Sequence, residues 1–120
     1  MTQPDMGIVE DGLKTEQCDT FYCDIFIAGD IAVIKQICRK HCLEVGLCVT
    51  VTPTDYIYTG GEETGAIIGL INYPRFPEDT HKIILKATLL GRLLMEGCYQ
   101  KSYSITMPGK TIRYSREIGR

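Results

Sequence analysis

Apolar residues in this chain recur at every second position, then at helical spacing, and then the cycle repeats. Phe21, Cys23, Ile25 and Ile27 alternate with Tyr22, Asp24, Phe26 and Ala28, the period of a strand rich in aromatic and β-branched residues. Ile31, Ile34, Cys38, Cys42 and Val45 follow at helical spacing, leaving Lys35, Arg39 and Lys40 for water. Asp30 is suited to cap the start of that helix and Gly46 to end it. Extended patterns return over 47–52, over 56–59 and over 65–72. A second, longer helix is expected from Glu78-Asp79 to about Cys98, with its acids where the helix dipole favours them. The strand Ser102–Met107 and a short return over Thr111–Tyr114 complete the chain.

The order β-α-β-β-α-β permits few topologies once connections must be short, uncrossed and right-handed. The economical one is an α+β, ferredoxin-like (split βαβ) sheet with both helices on one face and the C-terminal return as an extra hairpin strand. Pro53 places its strand at an edge or bends it. Gly60-Gly61-Glu62-Glu63 predicts a hairpin connection longer than two residues. A faint repeat aligns Thr50–Tyr58 with Ile105–Arg113, suggesting strand, proline bend, strand in each half.

At 120 residues, with 44 % hydrophobic and 23 % charged content, the chain has the size and composition of one globular domain. It can bury a core without a metal or disulfide. Residues 18–120 are expected to form that domain. Residues 1–17, polar and glycine-punctuated, are expected to be a mobile or loosely docked arm. No apolar run approaches the roughly 18 residues that span a bilayer, and the start at Met1–Asp5 lacks the pattern of a secretory leader. The expected location is therefore the cytosol, where the six cysteines stay reduced, most of them on core faces. Charge is uneven: seven acids against Lys14 in residues 1–30, and five bases against Glu117 in residues 101–120. Either the two ends lie close to one another, or the basic end meets an anionic partner.

The second helix carries two apolar stripes. Ile83, Ala87, Leu90, Leu94 and Cys98 are expected to face the sheet, flanked by Ile84, Gly91 and Met95. Leu85, Leu89 and Leu93 form a row on the other side, among Lys82, Lys86, Arg92 and Glu96. A contiguous exposed row suggests a homo-oligomer interface, with cover by the N-terminal arm as the alternative.

Three segments bear on chemistry. Cys38 and Cys42 share a helix face, but no CxxC pair occurs and both lie on the core stripe, so no metal site is expected. Glu62 and Glu63 among glycines suit hydroxyls, an amine or a cation, and repel phosphate; a solvated hairpin is the plain alternative. Asn72-Tyr73-Pro74-Arg75-Phe76-Pro77 offers two aromatics, an amide and a guanidinium on a stiff backbone, able to stack on a ring and pair with an anion. The alternative is a loop that plugs the end of the core. Arg113 is placed near this loop. His41 and His81 show no nucleophile partner, so no catalytic residue and no cofactor are assigned. The third strand has no aromatic before Tyr73, which argues against an RNA-binding sheet.

The strings Gly46-Leu47-Cys48-Val49-Thr50-Val51-Thr52-Pro53-Thr54, Tyr58-Thr59-Gly60-Gly61-Glu62-Glu63 and Gly69-Leu70-Ile71-Asn72-Tyr73-Pro74-Arg75-Phe76-Pro77 resemble a family of small phage and prophage proteins. The similarity covers residues 20–107. The resemblance implies a setting, the cytoplasm of an infected host cell, and by analogy an accessory protein that binds a host factor or sequesters a host signalling molecule. The expected function is thus non-enzymatic binding of a small polar, nucleotide-like ligand through Asn72, Tyr73, Arg75, Phe76, Glu62, Glu63 and Arg113, countering a host defence. A protein–protein interaction module, or a small enzyme using Glu62 or Glu63 as acid or base, are the alternatives.

Overall fold

The computed structural model describes residues 5–8 and 12–116. Its elements are β1 (Asp5–Ile8), β2 (Lys14–Gln17), β3 (Tyr22–Ala28), α1 (Ile31–Val45), β4 (Thr50–Tyr58), β5 (Gly61–Ile71), α2 (Thr80–Gly97), β6 (Ser102–Met107) and β7 (Lys110–Ser115). β3 is central, and its inward side chains Cys23, Ile25 and Ile27 are all buried. It pairs antiparallel with β5 on one side and β6 on the other, giving the order β4-β5-β3-β6-β7. This is the ferredoxin-like α+β arrangement, with β7 added at one edge.

Both helices cover the same face. Cys23, Ile25 and Ile27 of β3, Ala66, Ile68 and Leu70 of β5, and Tyr103, Ile105 and Met107 of β6 meet Ile34 and Cys38 of α1 and Ile83, Ala87, Leu90 and Leu94 of α2. Each fully buried aliphatic side chain contributes about 2 kcal/mol from the water it no longer orders. The helix ends follow from local chemistry. The Asp30 carboxylate accepts from the N–H groups of Ala32 (2.8 Å) and Val33 (3.2 Å), and Asp79 accepts from His81 N–H (3.2 Å). Gly46 ends α1 in the left-handed conformation at φ 71°.

Gly91 lies in the middle of α2 for a packing reason. The Tyr103 ring sits over it, so close that a Cβ there would lie 2.3 Å from Cε2. The ring is held by its hydroxyl, which donates to Thr88 O at 2.9 Å, and by stacking on Tyr114 at 4.9 Å.

Some expectations hold and others change. Of the two expectations for Pro53 the edge position holds: β4 is an edge strand and continues through Pro53, opposite Ala66, because an edge strand needs only one side of its ladder. At Pro108-Gly109, by contrast, the chain reverses into β7, so the repeat between the two halves fails at its prolines. The β4–β5 turn is two residues, Thr59-Gly60, and Glu62 and Glu63 lie within β5, opposite Ile57 and Tyr56. Ladder pairing there outweighs the poor strand propensity of Gly-Gly-Glu-Glu. Within residues 1–17, β1 pairs with β2 in a two-stranded ladder; the other residues of this segment up to Asp11 lie outside the described ones. His41, with no core role expected, is buried on α1 beside Ile34 and Cys38, while Val45 is exposed.

The thiols divide by position. Cys23 and Cys38 are buried, Cys18, Cys42 and Cys98 half-buried, and Cys48 exposed. Burial pushes the Cys23 thiol up from 9.0 to about 11, helped by Asp24, and does the same for Cys38, helped by Cys42 and Cys98. Burial likewise pushes the Tyr103 phenol up to about 12. Above the ordinary thiol value the unfolded chain has released protons that the folded chain still holds. Stability is therefore expected to be full below about pH 9 and to fall as pH rises through 11. Urea midpoints measured across that range check this, and a flat curve would mean the thiols ionise alike in both states.

Candidate functional site

The residues expected to form one ligand site fall into three places. β5 carries Glu63 near its start and leads into Asn72 and Tyr73 just past its end. The eight residue steps from Glu63 to Ile71 separate the two ends by roughly 26 Å at about 3.3 Å per step. Glu62 and Glu63 therefore do not join the Tyr73 loop. Arg113 is also elsewhere: it pairs with Ser104 in the ladder, on the sheet face away from the helices and in line with Phe26 and Ile67.

The hairpin end carries a carboxylate and a phenol in contact. Glu62 and Glu63 project to opposite faces, as neighbours in a strand must. Glu63 faces the same side as its cross-strand neighbour Tyr56. The Tyr58 hydroxyl donates to Glu63 Oε2 at 3.0 Å, and the carboxylate raises the phenol's pKa through that bond first and through its charge second. The Tyr58 ring lies against Gly61, where a Cβ would sit 3.2 Å from the ring. Below it, Tyr56 is anchored by its hydroxyl on Ala66 O at 2.7 Å. Gly29 N–H donates to Thr64 O at 2.9 Å, which ties the β3–α1 turn to this hairpin end. Ile57 is 76 % exposed and Tyr58 is 53 % exposed, so the pair and its apolar neighbour face outward. Tyr58 is not singled out by sequence reasoning. The cue is the Thr59-Gly60 dipeptide, which, read as a two-residue turn, brings Tyr58 within reach of Glu63.

At the other end, Tyr73-Pro74-Arg75-Phe76 is a tight turn closed by Phe76 N–H to Tyr73 O at 3.0 Å. Pro74 occupies the position where its fixed φ favours such a turn. Arg75 sits over the exposed Phe76 ring at 5.4 Å. Asn72 is buried and serves the backbone: Nδ2 donates to Asp19 O at 2.9 Å, and Oδ1 accepts from Glu78 N–H at 2.8 Å. The Tyr73 hydroxyl donates to Cys48 Sγ at 3.4 Å, and that bond, with burial and the neighbouring thiol, pushes the phenol up to about 12. Tyr73 and Phe76 line a cleft of about 310 Å³ together with Leu47, Cys48, Glu78 and Lys86.

On α2 the two stripes are as expected in geometry. Ile83, Ala87, Leu90, Leu94 and Met95 are buried, Leu85 and Leu89 are exposed, and Leu93 is half-buried. Among the described residues no cluster of three or more His, Cys, Asp or Glu has the geometry of a metal site, and no helix is long and apolar enough to cross a membrane.

Fold and side chains together define a ferredoxin-like α+β protein with an outward carboxylate–phenol pair at one end of its sheet and an aromatic cleft at the other. Two solved structures share this fold: a phage SAM lyase in its apo state (TM-score 0.66, 17 % identity, 83 % of this chain and 92 % of that one) and a phage SAM lyase in complex with S-methyl-5'-thioadenosine (TM-score 0.56, 14 % identity, 84 % and 93 %). The likeness is one of fold. No family model matches the chain, and no curated protein matches it in sequence.

Proposed function

We propose that this chain is a phage lyase acting on S-adenosylmethionine, with Tyr58 and Glu63 on the β4–β5 hairpin as the polar half of its site. What supports this most is the outward Tyr58–Glu63 pair on a fold shared, over most of both chains, with phage SAM lyases. The neighbour's ligand, S-methyl-5'-thioadenosine, is what S-adenosylmethionine leaves when the bond between sulfur and Cγ of its methionyl arm breaks. The bonding pair goes to sulfur, so the leaving group is a neutral thioether and needs no proton. The four-carbon remainder closes by attack of its own carboxylate on Cγ, or loses a proton from Cβ.

Positive charge disappears at sulfur along this path. A carboxylate pressed against sulfur would therefore favour the ground state over the transition state. Glu63 is better used away from sulfur, accepting from the ribose hydroxyls or the ammonium group, with Tyr58 fixing its orientation. Its neighbour in the structure is a phenol, whereas the Glu78 carboxylate at the other end is already held by Lys86. Removing the methyl donor in the cytoplasm of an infected cell would blunt a methylation-dependent host defence.

Incubation with S-adenosylmethionine, followed by mass spectrometry, tests this. S-methyl-5'-thioadenosine should accumulate, and Glu63→Gln should slow its release by about tenfold to a hundredfold, the worth of one charge-assisted hydrogen bond. No product from the wild-type chain, together with no thermal stabilisation by S-methyl-5'-thioadenosine, would overturn the reading.

The same reading includes a homo-oligomer built on Leu85, Leu89 and Leu93. Its support is the exposure of Leu85 (55 %) and Leu89 (51 %) in one row of α2. Leu89→Glu should leave the monomer folded and lower the sedimentation coefficient; an unchanged coefficient removes the row from any interface.

A further inference from the structure

We propose a second ligand site, for a free α-amino acid with an apolar side chain, in the cleft between the α1–β4 connection, the Tyr73–Phe76 turn and the start of α2. Its volume, about 310 Å³, is at the small end of small-molecule sites, which begin near 300 Å³. The walls are apolar: Leu47, Leu70, Ile83 and the rings of Tyr73 and Phe76. One charged feature breaks them. Lys86 Nζ lies 2.7 Å from each oxygen of Glu78, and both side chains are about one-third exposed.

That pair determines what the cleft can hold. An ammonium has three donors and a carboxylate about four acceptor sites. Two donors and two acceptor sites are spent within the pair, leaving one donor on Lys86 and acceptor capacity on Glu78. The pair is neutral overall. A ligand with a lone charge would bring that charge into a partly desolvated place without compensation. A zwitterion does not. Its carboxylate accepts the remaining Lys86 proton, its ammonium donates to Glu78, and charges alternate around a closed set of four. The side chain then runs along the apolar wall.

The groups are also held in advance. Asn72 Oδ1 accepts from Glu78 N–H and so positions the carboxylate, Pro74 stiffens the turn, and Arg75 steadies the Phe76 ring. Preorganisation lowers the entropy lost on binding. The cleft lies at the opposite end of β5 from Glu63, so this site does not depend on the lyase reading.

Titration calorimetry of the full chain with leucine and methionine tests it. The free amino acids should bind, and their N-acetyl and methyl-ester forms, and hexanoate, should bind at least about tenfold more weakly, each lacking one charge of the set. Lys86→Met should weaken binding by a similar factor. Phe76→Ala, at a residue 70 % exposed and hence safe for folding, should weaken it too, while Glu63→Gln leaves it unchanged. Equal binding of the ester or of hexanoate would overturn the proposal, as would no binding of any free amino acid.

Discussion

Gly65→Val is expected to lower the unfolding free energy by about 3 kcal/mol or more, one of the largest losses available to a single substitution outside the aliphatic core. A Cβ at this position would lie 2.3 Å from Ile27 O, 2.8 Å from Ala28 Cα and 2.8 Å from the Tyr56 ring. Two of those three neighbours are backbone of the central strand and cannot swing aside. Relief would require β5 to separate from β3 at the Ala28–Gly65 rung, and with it the Gly29–Thr64 hydrogen bond. The Tyr56 anchor on Ala66 O would go as well, and the hairpin carrying Tyr58 and Glu63 would lose its footing. Urea unfolding measures the loss. A drop below about 1 kcal/mol would mean that the sheet end yields easily and does not position Glu63.

Asn72→Ala is expected to cost about 2–4 kcal/mol, through two hydrogen bonds rather than through volume. Its amide bridges Asp19 O and Glu78 N–H, and its own backbone N–H donates to Phe21 O at 2.9 Å. Truncation leaves a carbonyl and an N–H without partners in a part-buried place. It also frees the segment before β3 from the segment before α2. Hydrogen exchange should quicken at Glu78 and at the Phe76 amide of the turn, while the β4–β5 hairpin keeps its protection. Global loss of protection would instead show that Asn72 supports the whole core. An amide read as a ligand contact is therefore, in the folded chain, a brace that aims Glu78.

The element order and the core faces are legible in the residues because their signals are local. Alternation at Phe21–Ala28 and helical spacing at Ile83–Leu94 are each written within one element, and Asp30, Gly46 and Asp79 act within a turn of where they stand. Expectations failed where an element's length depends on its neighbour. β5 begins at Gly61 because β4 is there to pair with it, and this lengthening moves Glu62 and Glu63 off a loop and onto two faces of a strand. The same length separates them from the Tyr73 turn, so the two ends of β5 do not come together within one chain. Arg113 misses for the same reason: its place follows from strand order, and β7 lies at the far edge from β4.

What the residues determined by themselves is the split βαβ frame, with its two unlike helices, since periodicity and capping need no distant partner. The long α2 with two stripes and the stiff turn before it are both present as read. Tertiary structure alone decided which polar groups meet. Tyr58 reaches Glu63 across a two-residue turn, Lys86 reaches Glu78 from eight residues away, and Tyr73 reaches Cys48 from another strand connection. Each depends on register or on how a helix lies against a loop, and a shift of one residue in β5 would turn every one of its side chains to the other face.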